Sequence, residues 1–263
     1  MSEIQLLVRA DDIGMAHSVN EACLHVFRKG ICQSVELMAP CPWFPEAITM
    51  LAECPDLDVG IHLTLTSEWD RMKWGPLTRA PSLVDSSGYF CRTFRSRSDD
   101  GDAFCDLHWQ LDEVETELRA QIDRIIDCVP RASHLTGHMG VAAADERIGD
   151  LVADLEREYG LQTGVGAFER FRGYGDNSHS LSAEQKTRAL CRSLRDVAPG
   201  RWLFVDHPAF DTPETRVLGH AGYAEVAADR QGVTQSWTDP EVRAIIAERG
   251  IQLVSYADVK AGS

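Results

Sequence analysis

The sequence has no apolar run that approaches the roughly 18 residues needed to cross a membrane, so we expect no transmembrane segment. Its opening residues, MSEIQLLVRADD, lack a basic region followed by a long apolar stretch, so we expect no secretory signal peptide. Basic residues are scarce, because 26 Lys and Arg stand against 41 Asp and Glu, which gives a net charge of −15. This charge repels phosphate backbones. It therefore argues against nucleic-acid binding and suits a neutral or cationic substrate.

Several familiar motifs are also missing. The eight cysteines are spread along the chain and include no CxxC pair, which is typical of small buried residues rather than a disulfide framework. This usage predicts a reducing, cytoplasmic compartment. The absence of GxSxG, of GxxxxGK[ST] and of GxGxxG after the first strand argues against a serine hydrolase elbow, a phosphate loop and a dinucleotide site.

What the sequence does contain is a regular alternation of short apolar runs and longer amphipathic stretches. Its 263 residues are long enough to bury a substantial core. Predicted helices include Val19–Lys29, Leu111–Val129 and one that Asp239 caps before Pro240. The predicted strands are Ile4–Ala10, Ser34–Ala39, Leu57–Leu65, one that begins at Ser133, one near Gln162–Val165, Trp202–Asp206 and Ile251–Val254.

Repeated strand–helix units predict an α/β fold with mainly parallel strands, and their number favours closure into a barrel. We expect a single domain over residues 1–263. Residues 66–110, rich in Arg, Ser, Asp and Gly, break the rhythm and are expected to form a long excursion over one barrel end. Arg170–Ser182 is expected to be a loop.

Acidic and imidazole side chains fall at the ends of four predicted strands. They are Asp11 and Asp12, then His62, then His134 and His138, and finally Asp206 with His207. Because the carboxyl ends of parallel strands emerge at one face, these side chains are expected to share a rim. Asp and neutral His suit a zinc-like divalent ion, and three protein ligands leave room for water.

Each of these features has an ordinary structural interpretation. Adjacent aspartates can cap a helix or turn, a His within GIHLTL can be a hydrogen-bonded core residue, and DHPAF can be a strand-ending turn. Trp69, Trp74 and Trp109 can stack on sugar rings or simply pack locally. The argument for a site is the joint occurrence of these residues at predicted strand ends.

Five segments, in order over nearly the full chain, carry a family resemblance. They are RADDIGMAHSVNEAC, VGIHLTLTSEW, ELRAQIDRI followed by PRASHLTGHMG, DHPAFD, and RGIQLVSYADV. With these segments the sequence resembles the YdjC-like (ChbG/HpnK-type) carbohydrate deacetylases. The resemblance implies a distorted TIM-like barrel and hydrolytic removal of an acetyl group from an N-acetylated sugar.

The resemblance also implies roles for particular residues. One divalent metal would be held by Asp12, His62 and His138, and two imidazole ligands favour zinc over magnesium. Asp11 would be the general base, and His207 would be the general acid or a substrate contact.

Substrate and partners follow from the same resemblance. The substrate would be a small-molecule carbohydrate, contacted by His134, Glu68 and Trp69. We expect no nucleic-acid or membrane partner. We do expect a homodimer.

The third segment departs from the resembled family, whose members usually read THxDSHxHVH there. Thr136 stands at the usual Asp, and Gly140 and Ala142 stand at later His positions. Loss of the Asp is expected to weaken the hydrogen-bond support of the metal. Two alternatives stay open: a non-catalytic metal- or sugar-binding relative, and a metal-dependent hydrolase of another bond. Few basic residues near the motifs argue against a phosphoester.

Overall fold

A computed structural model describes residues 3–96, 103–176 and 178–261. Within these ranges seven strands form one parallel sheet that curls into a half-barrel surrounded by helices. The strands are β1 (Ile4–Ile13), β2 (Ser34–Leu37), β3 (Asp58–Leu63), β4 (His134–Gly137), β5 (Glu169–Arg170), β6 (Gly200–Asp206) and β7 (Ile251–Val254). This architecture confirms the predicted barrel-like α/β fold.

The helices follow the predicted alternation with the strands. They are α1 (His17–Lys29), α2 (Phe44–Ala52), α3 (Leu111–Cys128), α4 (Glu146–Glu158), α5 (Ala183–Asp196), α6 (Val226–Thr238), α7 (Pro240–Arg249) and α8 (Tyr256–Ala261). The predicted cap of α7 is confirmed, since the Asp239 carboxylate accepts from the Glu241 N–H at 2.8 Å.

The sheet is ordered β4-β3-β2-β1-β6-β5, and β7 pairs with β1. Strand β1 is the centre of the sheet. One edge pairs with β6, while the other pairs with β7 along its first half and with β2 near its end. Because β1 is covered on both faces, its sequence is largely apolar until the two aspartates at its carboxyl end.

One strand differs from expectation, and two helices, α6 and α8, were not predicted. The strand predicted near Gln162–Val165 is wrong, because Gly164 has φ of 68° and interrupts an extended backbone. The strand forms later, at β5. Helix α6 was not predicted, since nine of its residues are buried and this leaves no amphipathic period to detect.

The segment of residues 66–110 contains 3-10 helices at Pro81–Leu83 and Phe104–Asp106, and no strand or α-helix in its described part. Residues 97–102 of the predicted excursion lie outside the described residues. The segment is attached to α3, because the backbone N–H groups of Leu77 and Thr78 donate to the Glu117 carboxylate at 3.0 and 2.9 Å.

Two further expectations concern the burial of the cysteines and the absence of a transmembrane segment. Six of the eight cysteines are buried, and Cys105 and Cys128 are exposed. Across the described ranges, no helix is both long enough and apolar enough to span a bilayer.

Candidate metal centre

Asp11 and Asp12 are neighbours in sequence, and on a regular strand their side chains would point to opposite faces. The backbone of Asp12 instead adopts φ of 74°, and the register against β2 shifts between Ala10 and Ile13. A left-handed non-glycine residue of this kind costs of order 1 to 3 kcal/mol and is typical of functional sites. As a result both carboxylates approach His62, whose Nε2 lies 3.8 Å from Asp11 Oδ2 and 3.9 Å from Asp12 Oδ1.

Asp12, His62 and His138 form a buried triad at the carboxyl ends of β1, β3 and β4. Each offers one ligand atom, and these atoms all lie within 4.8 Å of one another. His138 Nδ1 is 3.3 Å from Asp12 Oδ1. The Asp12 carboxylate is fully buried, with Oδ1 facing His62 and His138 and Oδ2 facing Arg230, so Oδ1 is the oxygen available to a cation.

The outer nitrogen of each triad histidine is hydrogen-bonded. His62 Nδ1 lies 2.8 Å from Thr136 Oγ1, and His138 Nε2 lies 2.9 Å from Glu68 Oε2. Metal-binding histidines are usually held in this way, with the second nitrogen bonded to a carboxylate or another acceptor. The donor set of this site therefore fits one divalent cation.

The two histidines differ in protonation. Burial lowers the pKa of His62 to about 4, so its imidazole is neutral, the form that binds a metal. Burial acts in the same direction on His138, but Glu68 and Asp12 outweigh it and raise the pKa of His138 to about 10. A cation that binds here must displace the His138 proton.

Two arginines that sequence reasoning missed neutralise the acidic pair. Arg9 donates to both oxygens of Asp11, at 2.7 and 2.8 Å. Arg230 of α6 places Nη1 2.9 Å from Asp12 Oδ2. Burial favours protonation of Asp12, but the positive charges of His207 and Arg230 outweigh it and hold the pKa of Asp12 well below its usual value. A signal existed for Arg9, an arginine within an apolar strand, but none for Arg230.

The predicted substrate contacts lie deeper than expected. His134 is 0 % exposed, with Nε2 2.8 Å from Glu36 Oε1 and its ring stacked 3.6 Å from Tyr256, and its contact with a sugar stays a prediction. Glu68 and Trp69 are also buried. Glu68 bonds His138, and for both residues a sugar contact stays a prediction.

His207 follows β6 and is the most open of the predicted site residues, with its side chain 39 % exposed. Its backbone N–H donates to Asp206 Oδ1 at 2.8 Å. Burial lowers the pKa of His207, but Asp12 and Asp206 outweigh burial and the net shift is upward. The side chain is therefore biased towards the proton-carrying form that a general acid needs.

Comparison with known proteins identifies the family of this chain. The sequence model of the YdjC-like protein family matches residues 5–248. A carbohydrate deacetylase of Thermoanaerobacter pseudethanolicus is 26 % identical over 97 % of this chain and 99 % of the relative. One from Listeria monocytogenes is 32 % identical over 97 % of this chain and all of its own length (100 %).

A solved structure is similar as well. A crystal structure from Enterococcus faecalis, provisionally described as a cellobiose-phosphate cleavage protein, superimposes with a TM-score of 0.76 at 25 % identity. The match covers 97 % of this chain and 98 % of that one. By its sequence and by this likeness, the chain belongs to the YdjC-like protein family.

Proposed function

We propose that this chain is a metal-dependent hydrolase that removes the acetyl group from an N-acetylated sugar. The observation that carries the proposal is the buried convergence of Asp12, His62 and His138, with Asp11 beside them. The names of the relatives, carbohydrate deacetylases, support the choice of substrate class.

The cation would be held by Asp12, His62 and His138, and the two imidazoles favour zinc over magnesium. When bound, such an ion polarises an acetyl carbonyl and lowers the pKa of a water towards about 7. The neighbouring protein groups then have to move two protons, one from the water and one to the leaving amine.

Asp11 would accept the first proton. Its carboxylate faces His62 Nε2 at 3.8 Å but is not a member of the triad. The two hydrogen bonds from Arg9 fix its orientation, as a bidentate guanidinium pair does. These contacts support a role for Asp11 as a base rather than as a metal ligand.

His207 would supply the second proton. Its side chain is 39 % exposed, and Asp206 Oδ1 lies 3.6 Å from its Nδ1. A protonated imidazole there would donate to the amine as the amide bond breaks.

The test is acetate release from N-acetylglucosamine oligomers by protein stripped of metal and then supplied with Zn²⁺ or Mg²⁺. We expect release with added metal and none with a chelator. Activity that resists the chelator would contradict metal dependence. Phosphate release from a parallel phosphoester panel, without acetate release, would instead support hydrolysis of another bond.

A further inference from the structure

Three neighbouring strands place a buried acid behind the candidate metal centre. Glu36 of β2 is registered with Gly60 of β3, and Gly60 is registered with His134 of β4. Two residues further along β3, His62 is registered with Thr136 of β4. Because alternate residues of a strand share a face, Gly60 and His62 lie on the same side of the sheet.

The absence of a side chain at Gly60 lets the Glu36 side chain extend across strand β3. A β-carbon at this position would lie 2.3 Å from Glu36 Oε2 and 2.5 Å from His134 Nε2. Without it, Glu36 reaches over β3 and contacts His134 Nε2 at 2.8 Å through Oε1. The other carboxylate oxygen, Oε2, is left to face Thr136.

Thr136 then has one possible hydrogen-bond arrangement. Its single hydroxyl hydrogen is donated to Glu36 Oε2. Burial raises the pKa of Glu36, but His134 and Arg9 outweigh it and lower that pKa to about 2, so Glu36 is an acceptor. Thr136 Oγ1 can therefore only accept from His62 Nδ1, 2.8 Å away.

We infer that Glu36, acting through the hydroxyl of Thr136, holds His62 in the Nδ1–H tautomer and so turns the Nε2 lone pair towards Asp12. Glu36 and Thr136 are positioning residues, since neither belongs to the triad. The inference rests on the proposed function in one respect, the presence of a cation site at the triad. It also accounts for the departure in the third segment, because Glu36 supplies through Thr136 a carboxylate that the local sequence lacks.

The closing experiment compares substitutions of Thr136. Thr136→Val keeps the shape of the side chain and removes the hydroxyl. Thr136→Ala removes both the hydroxyl and the methyl group, and Thr136→Ser keeps the hydroxyl. Thr238→Val is the matched control, because Thr238 donates to a helix carbonyl, Thr234 O, at 2.8 Å in α6. The readouts are the ¹⁵N imidazole spectrum of His62, assigned by its loss in His62→Ala, and Zn²⁺ affinity from competition with a chromophoric chelator.

We expect wild type, Thr136→Ser and Thr238→Val to show the Nδ1–H tautomer and equal Zn²⁺ affinity. Thr136→Val and Thr136→Ala should show mixed tautomers and bind Zn²⁺ about 10- to 100-fold more weakly, the usual size of such an effect. A wild-type Nε2–H tautomer would overturn the inference, as would unchanged affinity in both hydroxyl-free variants. The proposed function would survive those results. It would fail instead if wild type bound neither Zn²⁺ nor Mg²⁺.

Discussion

Replacing Gly60 with Ala adds one methyl group where the side chains of Glu36 and His134 meet across β3. The new carbon would sit 2.3 Å from Glu36 Oε2, 2.5 Å from His134 Nε2 and 2.7 Å from Glu36 Cδ. Both neighbours are fully buried, at 0 % exposure, so they cannot move into solvent to make room. The backbone of Gly60 is not left-handed, and strain in the main chain therefore adds nothing.

The expected loss of stability follows from the contact between Glu36 and His134, which the new methyl group must push apart. Overpacking a buried site costs about 1 to 3 kcal/mol. Parting a buried, charge-assisted pair costs about 3 to 5 kcal/mol, and the two costs overlap because one displacement causes both. The lower chain entropy of Ala in the unfolded state offsets less than about 1 kcal/mol. We therefore expect a net loss of about 3 kcal/mol or more, which lowers Tm by about 6 to 12 °C in a chain of this size.

The assay is urea and thermal unfolding followed by tryptophan fluorescence, with Gly166→Ala as the matched control. A β-carbon at Gly166 meets no atom within 4 Å, so this variant should stay within about 0.5 kcal/mol of wild type. If Gly60→Ala were as stable as the control, Glu36 and His134 would not meet across β3, and the reasoning about this part of the barrel would be refuted.

The remaining predictions concern the candidate centre. Asp11→Asn should keep its metal but lose about 100-fold or more in kcat, the usual size of a proton-transfer contribution, and near-normal acetate release would remove Asp11 from the role of base. His62→Ala should lose its bound cation, because only two protein ligands remain; elemental analysis showing full occupancy would contradict that ligand assignment. Because the pKa of His138 is raised to about 10, Zn²⁺ binding near pH 7.5 should release its proton, and affinity should rise with pH up to that value. Calorimetry in buffers of different ionisation enthalpy measures this release, and identical heats in all of them would rule it out.

Six of the seven described strands, most helices and the positions of the triad residues could be read from the sequence. The carboxyl ends of parallel strands meet at one face, so polar residues at those ends predict a shared site without knowledge of the contacts. The prediction that Asp12, His62 and His138 share a metal site depended only on that rule and on the family resemblance. The structure brings these side chains within reach of one ion.

The orientation of the acidic pair was decided only by the tertiary structure. On a regular strand Asp11 and Asp12 would point to opposite faces, and the left-handed backbone of Asp12 brings them to the same side. Packing around a residue, rather than its own preference, stabilises such a conformation.

The supporting residues were likewise beyond the sequence. Arg230 lies on helix α6, whose nearly uniform burial leaves no amphipathic period in the sequence. Glu36 and His134 stand on strands either side of β3, and they meet only because Gly60 of β3 has no side chain between them. Local pattern determines which segments become strands and which polar groups stand at their ends, because those properties follow from nearby residues. Contacts across several strands depend on register and on the space left by other side chains, and these exist only once the chain has folded.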